Sequence, residues 1–253
     1  MCIRIVFLLF ILGLGLSGCS IKSDRSECPG LLYIEISGGD EERIYAELSD
    51  GEDLRTMHIT KLSSGVAIAA FEVEKNEEYD ARILSGVSEE WKGVIELGGQ
   101  MPPLYAYNSN VACDSEVREL MVSLEKQFAR LHIEVIGLDC KVRVRGNVAG
   151  VDLKSLSPLP GLFCAEVLPT MDMKEGGLYF NVDIPRQIDD SLMLELMSSE
   201  NDLSPVYAYK LGDRLRNLGV DWGKPSLEDV HIRIEYVDNK FELEIRNWEI
   251  IEL

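Results

Sequence analysis

Apolar and polar residues alternate over short runs along most of this chain, and a period of two is what a strand with one buried face requires. Leu32-Tyr33-Ile34-Glu35-Ile36 shows the pattern, and Ile44 to Leu48, Val66 to Val73, Tyr79 to Leu84 and Val117 to Leu124 repeat it. Clusters such as Ser37-Gly38-Gly39-Asp40 and Ser49-Asp50-Gly51 separate the runs, as turns demand. Pro102-Pro103 interrupts them in the way a loop or a sheet edge does. A second series starts at Phe128, with Arg130 to Val135, Cys140 to Arg145, Leu162 to Val167, Leu178 to Ile184 and Leu192 to Met197. Two strand series of this spacing predict an all-β chain of two tandem sandwiches, over 28–125 and 126–253, joined near Glu125-Lys126-Gln127. Little room is left for helix. The best stretch is Lys210 to Gly219, where Leu211, Leu215 and Leu218 share a helical face and Gly219 stands at the C-terminal cap.

The end of the chain predicts a hairpin in a definite register. Val230 to Val237 and Lys240 to Ile245 flank Asp238-Asn239, two residues that tolerate the left-handed backbone of a tight turn. Tyr236 then faces Phe241, Ile234 faces Leu243 and Ile232 faces Ile245, with His231, Arg233, Glu235, Glu242, Glu244 and Arg246 on the other face. A slip of one residue would destroy that match. Parity changes at Trp248 and Ile250, which predicts a bulge near Asn247.

The start of the chain carries a different signal. Arg4 precedes the apolar run Ile5 to Leu14, which is too short to span a bilayer that needs roughly 20 apolar residues. Leu16-Ser17-Gly18-Cys19 follows, a lipobox. Residues 1–18 therefore read as a lipoprotein signal peptide, Cys19 as the acylated first residue of the mature protein, and 19–27 as that residue and a polar spacer. Two or three acyl chains hold a protein to a membrane stably, whereas one holds it marginally. Ser20 is not acidic, which points to an outer membrane.

Removing Arg4 with the leader takes the formal charge from −19 to −20. Such a surface repels nucleic acid and anionic headgroups, so the membrane is reached through the lipid alone and no nucleic-acid partner is expected. Of six cysteines, Cys2 leaves with the leader and Cys19 is acylated. Cys28, Cys113, Cys140 and Cys164 remain in an oxidising compartment. Two fall in each half, so Cys28 with Cys113 and Cys140 with Cys164 are the expected pairs, with free thiols the alternative. No close CxxC spacing suggests zinc.

Little else carries chemistry. His58, His132 and His231 are isolated, and no HExxH, phosphate loop, GxSxG or strand-linked GxGxxG is present. Asp50-Gly51-Glu52-Asp53 lacks the ligand spacing of a calcium loop and reads as a turn. Trp91, Trp222 and Trp248 form either a sugar platform or buried packing, and packing is the better reading. Neither catalysis nor a cofactor or metal is expected.

Several local patterns converge on a family. Cys19 to Pro29 carries a DRxxCP sequence just after the lipid Cys and before a strand. Further along stand Pro185-Arg186-Gln187 with Asp190 to Leu196, then Leu211-Gly212, Gly219-Val220-Asp221-Trp222 and a closing hairpin ending in Asn247-Trp248-Glu249. In order and spacing these resemble the FimB-type fimbrial anchor proteins, lipoproteins of gut and oral Gram-negative anaerobes. Gly30 and Val220 depart from that family's pattern. The resemblance implies two transthyretin-like sandwiches and a surface-exposed anchor or minor accessory subunit that holds the fimbrial shaft to the outer membrane and limits its length. Its partners would be shaft subunits, joined by strand addition to an open sheet edge. With five residues after Trp248, the chain is expected to offer an acceptor edge rather than donate a strand. The competing reading is a surface glycan-binding lipoprotein, which needs two or three exposed aromatics on one face. A secreted hydrolase is a third.

Overall fold

The computed structural model describes residues 28–39, 43–62, 64–170, 177–198 and 204–246. The first strands are β1 (Gly30–Gly38), β2 (Arg43–Ser49), β3 (Leu54–Thr60), β4 (Ala67–Val73), β5 (Glu77–Ser85), β6 (Tyr105–Cys113) and β7 (Val117–Lys126). They form one sheet in the order β3-β2-β5-β6-β7-β1-β4. Its two sections meet only where Tyr105 and Ala106 pair with Lys126 and Glu125, so β3-β2-β5-β6 and β7-β1-β4 can face each other as layers. The faces that meet are the apolar parities: Leu32, Ile34 and Ile36 of β1 and Phe71 of β4 on one side, Ile44, Ala46, Leu48 and Ile83 on the other, all buried. Each Leu, Ile or Phe side chain among them contributes about 1.5–3 kcal/mol on burial.

The second series is β8 (Phe128–Ile136), β9 (Cys140–Val151), β10 (Pro158–Val167), β11 (Gly177–Pro185), β12 (Met193–Ser198), β13 (Pro205–Lys210), α1 (Leu211–Asn217), β14 (Val230–Val237) and β15 (Lys240–Arg246). It makes two four-stranded sheets, β10-β9-β12-β13 and β11-β8-β14-β15. The connectivity of the first half is repeated. β8 lies between β11 and β14 as β1 lies between β4 and β7, with the same antiparallel and parallel partners. Likewise β9 bridges β10 and β12 as β2 bridges β3 and β5. β15 is the addition. The chain is all-β with two tandem sandwiches, as the alternation predicts.

The closing hairpin has the expected register, Tyr236 opposite Phe241, Ile234 opposite Leu243 and Ile232 opposite Ile245. Asp238 and Asn239 both take positive φ, 51° and 60°, the requirement of a two-residue type I′ turn. The bulge expected near Asn247 lies outside the described residues. In α1, Leu211 and Leu215 are fully buried, while Leu218 falls just past the end and is partly exposed. Gly219 closes the helix at φ 81°, its N–H on Arg216 O and the Val220 N–H on Leu215 O, a Schellman motif.

Residues 86–104 run from the first half over the second as a strap. Ile95, Gly98 and Met101 donate backbone N–H groups to Ala149, Cys164 and Asp183. Where it first touches β9, Gly93 faces Gly150 so closely that a Cβ on Gly150 would sit 1.9 Å from Gly93 O. Only glycine permits that approach.

Candidate functional site

Cys19 lies outside the described residues, so its acylation remains a reading of the lipobox. What the structure places is the strand that follows it. β1 is bonded on both sides, antiparallel to β4 from Gly30 to Ile36 and parallel to β7 from Leu31 to Gly38. A pull on its N-terminus runs along the strand and loads both ladders together rather than peeling one bond at a time.

The four remaining cysteines are all free thiols in the structure. The expected Cys140–Cys164 bridge is not formed, and the register explains why. Cys164 stands opposite Arg145, five residues beyond Cys140 along β9, or about 16 Å at about 3.3 Å per residue. A bridge needs Cα atoms within about 7 Å. The two also face opposite ways: Cys140 shares the core face with Val142 and Val144, while Cys164 shares the outer face with Arg143 and Glu166. Burial pushes the Cys140 thiol up to about 11, which keeps it protonated and inert. Cys28, half-buried, and Cys113, fully buried, lie at one end of the first sandwich: the Leu31 N–H donates to Glu116 O, three residues past each. They carry no bond to each other.

The junction between the halves is dense in polar contacts. Gln127, the single residue between β7 and β8, is buried and donates its side-chain amide to Glu125 O and Pro225 O. Lys126 pairs with Asp229, whose carboxylate also accepts the Arg130 N–H. Arg130 grips Asp183 with two bonds of 2.7 Å, a bidentate fork that raises its pKa. Arg186 reaches the same place from the end of β11. It donates to Trp222 O, Lys224 O, Pro225 O and Gln127 Oε1. Among the described residues no carboxylate pairs with it, and burial pulls its pKa below the usual arginine value.

Two sheet edges of the second half, β13 and β15, have no backbone ladder partner on their outer sides among the described residues. They lie beside one another. Tyr207 of β13 stacks on Phe241 of β15 with ring centroids 4.3 Å apart, and Tyr209 and Tyr236 extend the row. Trp91 sits on the strap with Nε1 donating to Val94 O, and Trp222 sits in the loop clamped by Arg186. Both are half-buried and pack against the core with only part of their surface. Trp248 lies outside the described residues.

His58 meets Glu89 at 3.2 Å on the surface. His132 and His231, far apart in sequence, are register partners on β8 and β14 and stack with centroids 4.4 Å apart. Burial lowers the pKa of His231, and His132 lowers it further against a weaker pull from Asp229. A histidine whose folded pKa is depressed favours the neutral fold. Its contribution is complete above the unfolded value of about 6.5 and is lost as pH falls below it. The Tm is therefore expected to drop between pH 7.5 and 5.5, and the drop to shrink in His231→Asn, followed by thermal denaturation. An unchanged slope in that variant would remove the histidine pair as its cause. Among the described residues no group of three or more His, Cys, Asp or Glu side chains is placed to hold a metal ion.

Compared by sequence, the chain matches no family profile and no curated protein. Compared by structure, it is similar to the fimbrial anchor protein Mfa2 from Porphyromonas gingivalis, with TM-score 0.61 at 10% identity over 87% of this chain and 98% of that one. A Bacteroides thetaiotaomicron protein named as a candidate for polysaccharide binding gives 0.64 at 12% identity, over 87% and 99%. A candidate adhesin from Bacteroides ovatus gives 0.62 at 9%, over 87% and 95%. At such identities the likeness is one of fold, and it extends over both sandwiches.

Proposed function

We propose that this chain is a surface-exposed outer-membrane lipoprotein that anchors a fimbrial shaft, or serves as its minor accessory subunit, and influences shaft length. The observation that carries the reading is the placement of the lipobox. Only the eight residues 20–27 separate Cys19 from Cys28, and β1 begins two residues later as a strand held on both sides. A lipid fixed there transmits load straight into the first sheet. The fold likeness to a protein named as a fimbrial anchor supports the same role. The role is non-enzymatic and asks for no cofactor.

Shaft subunits would join at β13 and β15, whose outer edges have no ladder partner among the described residues and could take an incoming strand. The test is capture of the protein from solubilised outer membranes, with mass spectrometry of what comes with it. Fimbrial subunits are expected in the eluate. Their absence, from cells that display fimbriae, would defeat the reading.

A further inference from the structure

The outer face of β3-β2-β5-β6 is a grid of mostly polar side chains, with Leu54 at its edge. One row runs Thr56, Glu47, Arg82, Asn108, and the next runs Leu54, Ser49, Asp80, Asn110. Such a face ordinarily lies open to water. Here the loop after β9 leans over it: Asp152 caps the Lys154 and Ser155 N–H groups, and Asn108 donates its amide to Lys154 O. Two adjoining cavities of about 300 and 340 Å³ result, both lined by Glu47, Arg82 and Lys154. The first is floored by the polar grid. The second is walled by Tyr45, Leu84, Trp91 and Leu153. Within the groove Glu47 and Arg82 pair with each other, with only 11% and 26% of their side chains exposed.

We propose that this groove binds an uncharged oligosaccharide of a few residues. A sugar ring presents hydroxyls that both donate and accept, and C–H faces that pack on aromatic and aliphatic walls, and the two cavities offer those two surfaces side by side. The charge points away from an ionic ligand. Four carboxylates, Glu47, Asp80, Glu89 and Asp152, line the groove with three cations, Arg82, Lys92 and Lys154, so it is nearly neutral on a chain of net charge −19. Asp80 and the Asn110 amide make no side-chain bond within the described residues and are free to take a hydroxyl, whereas the neighbouring Glu47, Arg82 and Asn108 hold one another and the loop. The proposal is independent of shaft anchoring.

Affinity electrophoresis of the whole protein in detergent, through gels containing laminarin, mannan or starch, tests it, with alginate as the acidic comparison. Retardation by at least one neutral polysaccharide is expected. The double variant Asp80→Ala/Asn110→Ala should weaken it about tenfold or more, since two hydroxyl partners are lost, with Tm unchanged because neither side chain supports the fold. Three results would overturn the proposal: no retardation by any neutral probe, retardation by alginate alone, or retardation that the double variant leaves intact.

Discussion

Arg186→Ala is expected to destabilise the protein by about 3–4 kcal/mol, the largest effect of any single substitution outside the apolar core. The guanidinium spans four acceptors: Lys224 O at 2.7 Å, Pro225 O at 3.0 Å, Gln127 Oε1 at 3.2 Å, and Trp222 O. Hydrogen bonds from a charged donor contribute about 1.5–3 kcal/mol each, and removing the donor strips the part-buried Trp222 O and Gln127 Oε1 of it, while Lys224 O is exposed and Pro225 O keeps the Gln127 amide. Part of that loss is recovered by water, because the site is not sealed, which is why the total stays well below the sum. The same loop is tied to the junction by Leu227 N–H on Lys126 O and by the Lys126–Asp229 pair, so a loosened clamp is felt where β7 passes into β8. Thermal denaturation should show a Tm lower by about 10 °C. Arg186→Lys should recover less than half of it, because one ammonium cannot reach carbonyls spread around a planar fork. A fall of under 2 °C in Arg186→Ala would show that the loop is held by its other contacts.

That clamp also marks the boundary of what the sequence made legible. Pro185-Arg186-Gln187 and Gly219-Val220-Asp221-Trp222 stand out as separate patterns, yet the bond from Arg186 to Trp222 O that links them crosses 36 positions. The hairpin of β14 and β15 was readable because parity, turn chemistry and register are all local. β3, β6 and β13 carry no such clear alternation. In β3 every second residue is only half-buried, so the apolar contrast is weak. In β6 the polar run Asn108-Ser109-Asn110 breaks the alternation that Val111 and Cys113 resume, because Asn108 and Asn110 line the polar groove. In β13 the inward-facing residues Tyr207 and Tyr209 are only half-buried where they pack on the core, and the residues between them are exposed, so the contrast is again weak. Parity could have corrected the cysteine pairing. Cys140 has the parity of Val142 and Val144, whereas Cys164 is flanked by the buried Phe163 and Ala165 and must face outward. The groove was beyond reach, since it depends on cross-strand register and on a loop from the other half.

Cys19→Ala is expected to remove the protein from the outer membrane almost completely, a loss of about tenfold or more in the carbonate-resistant membrane fraction. Each buried methylene contributes about 0.8 kcal/mol to membrane attachment, so two or three acyl chains hold the protein stably and their loss releases it. The formal charge of −19 gives no attraction to anionic headgroups, and no helix among the described residues is long and apolar enough to cross a membrane. The variant should also run heavier by its uncut leader, because the peptidase acts on the lipid-modified Cys, and the ten residues Ile5 to Leu14 are too short to anchor it stably. Cys28→Ala is the control that separates lipid loss from thiol loss, and it should stay in the membrane. If β1 carries the load from lipid to sheet, fimbriae on Cys19→Ala cells should detach into the medium while the purified variant melts at the wild-type temperature. Wild-type membrane retention of Cys19→Ala would refute the lipid anchor. Full relocation with fimbriae still attached would keep the lipoprotein and refute the anchoring role, so the one substitution tests the two ends of the load path separately.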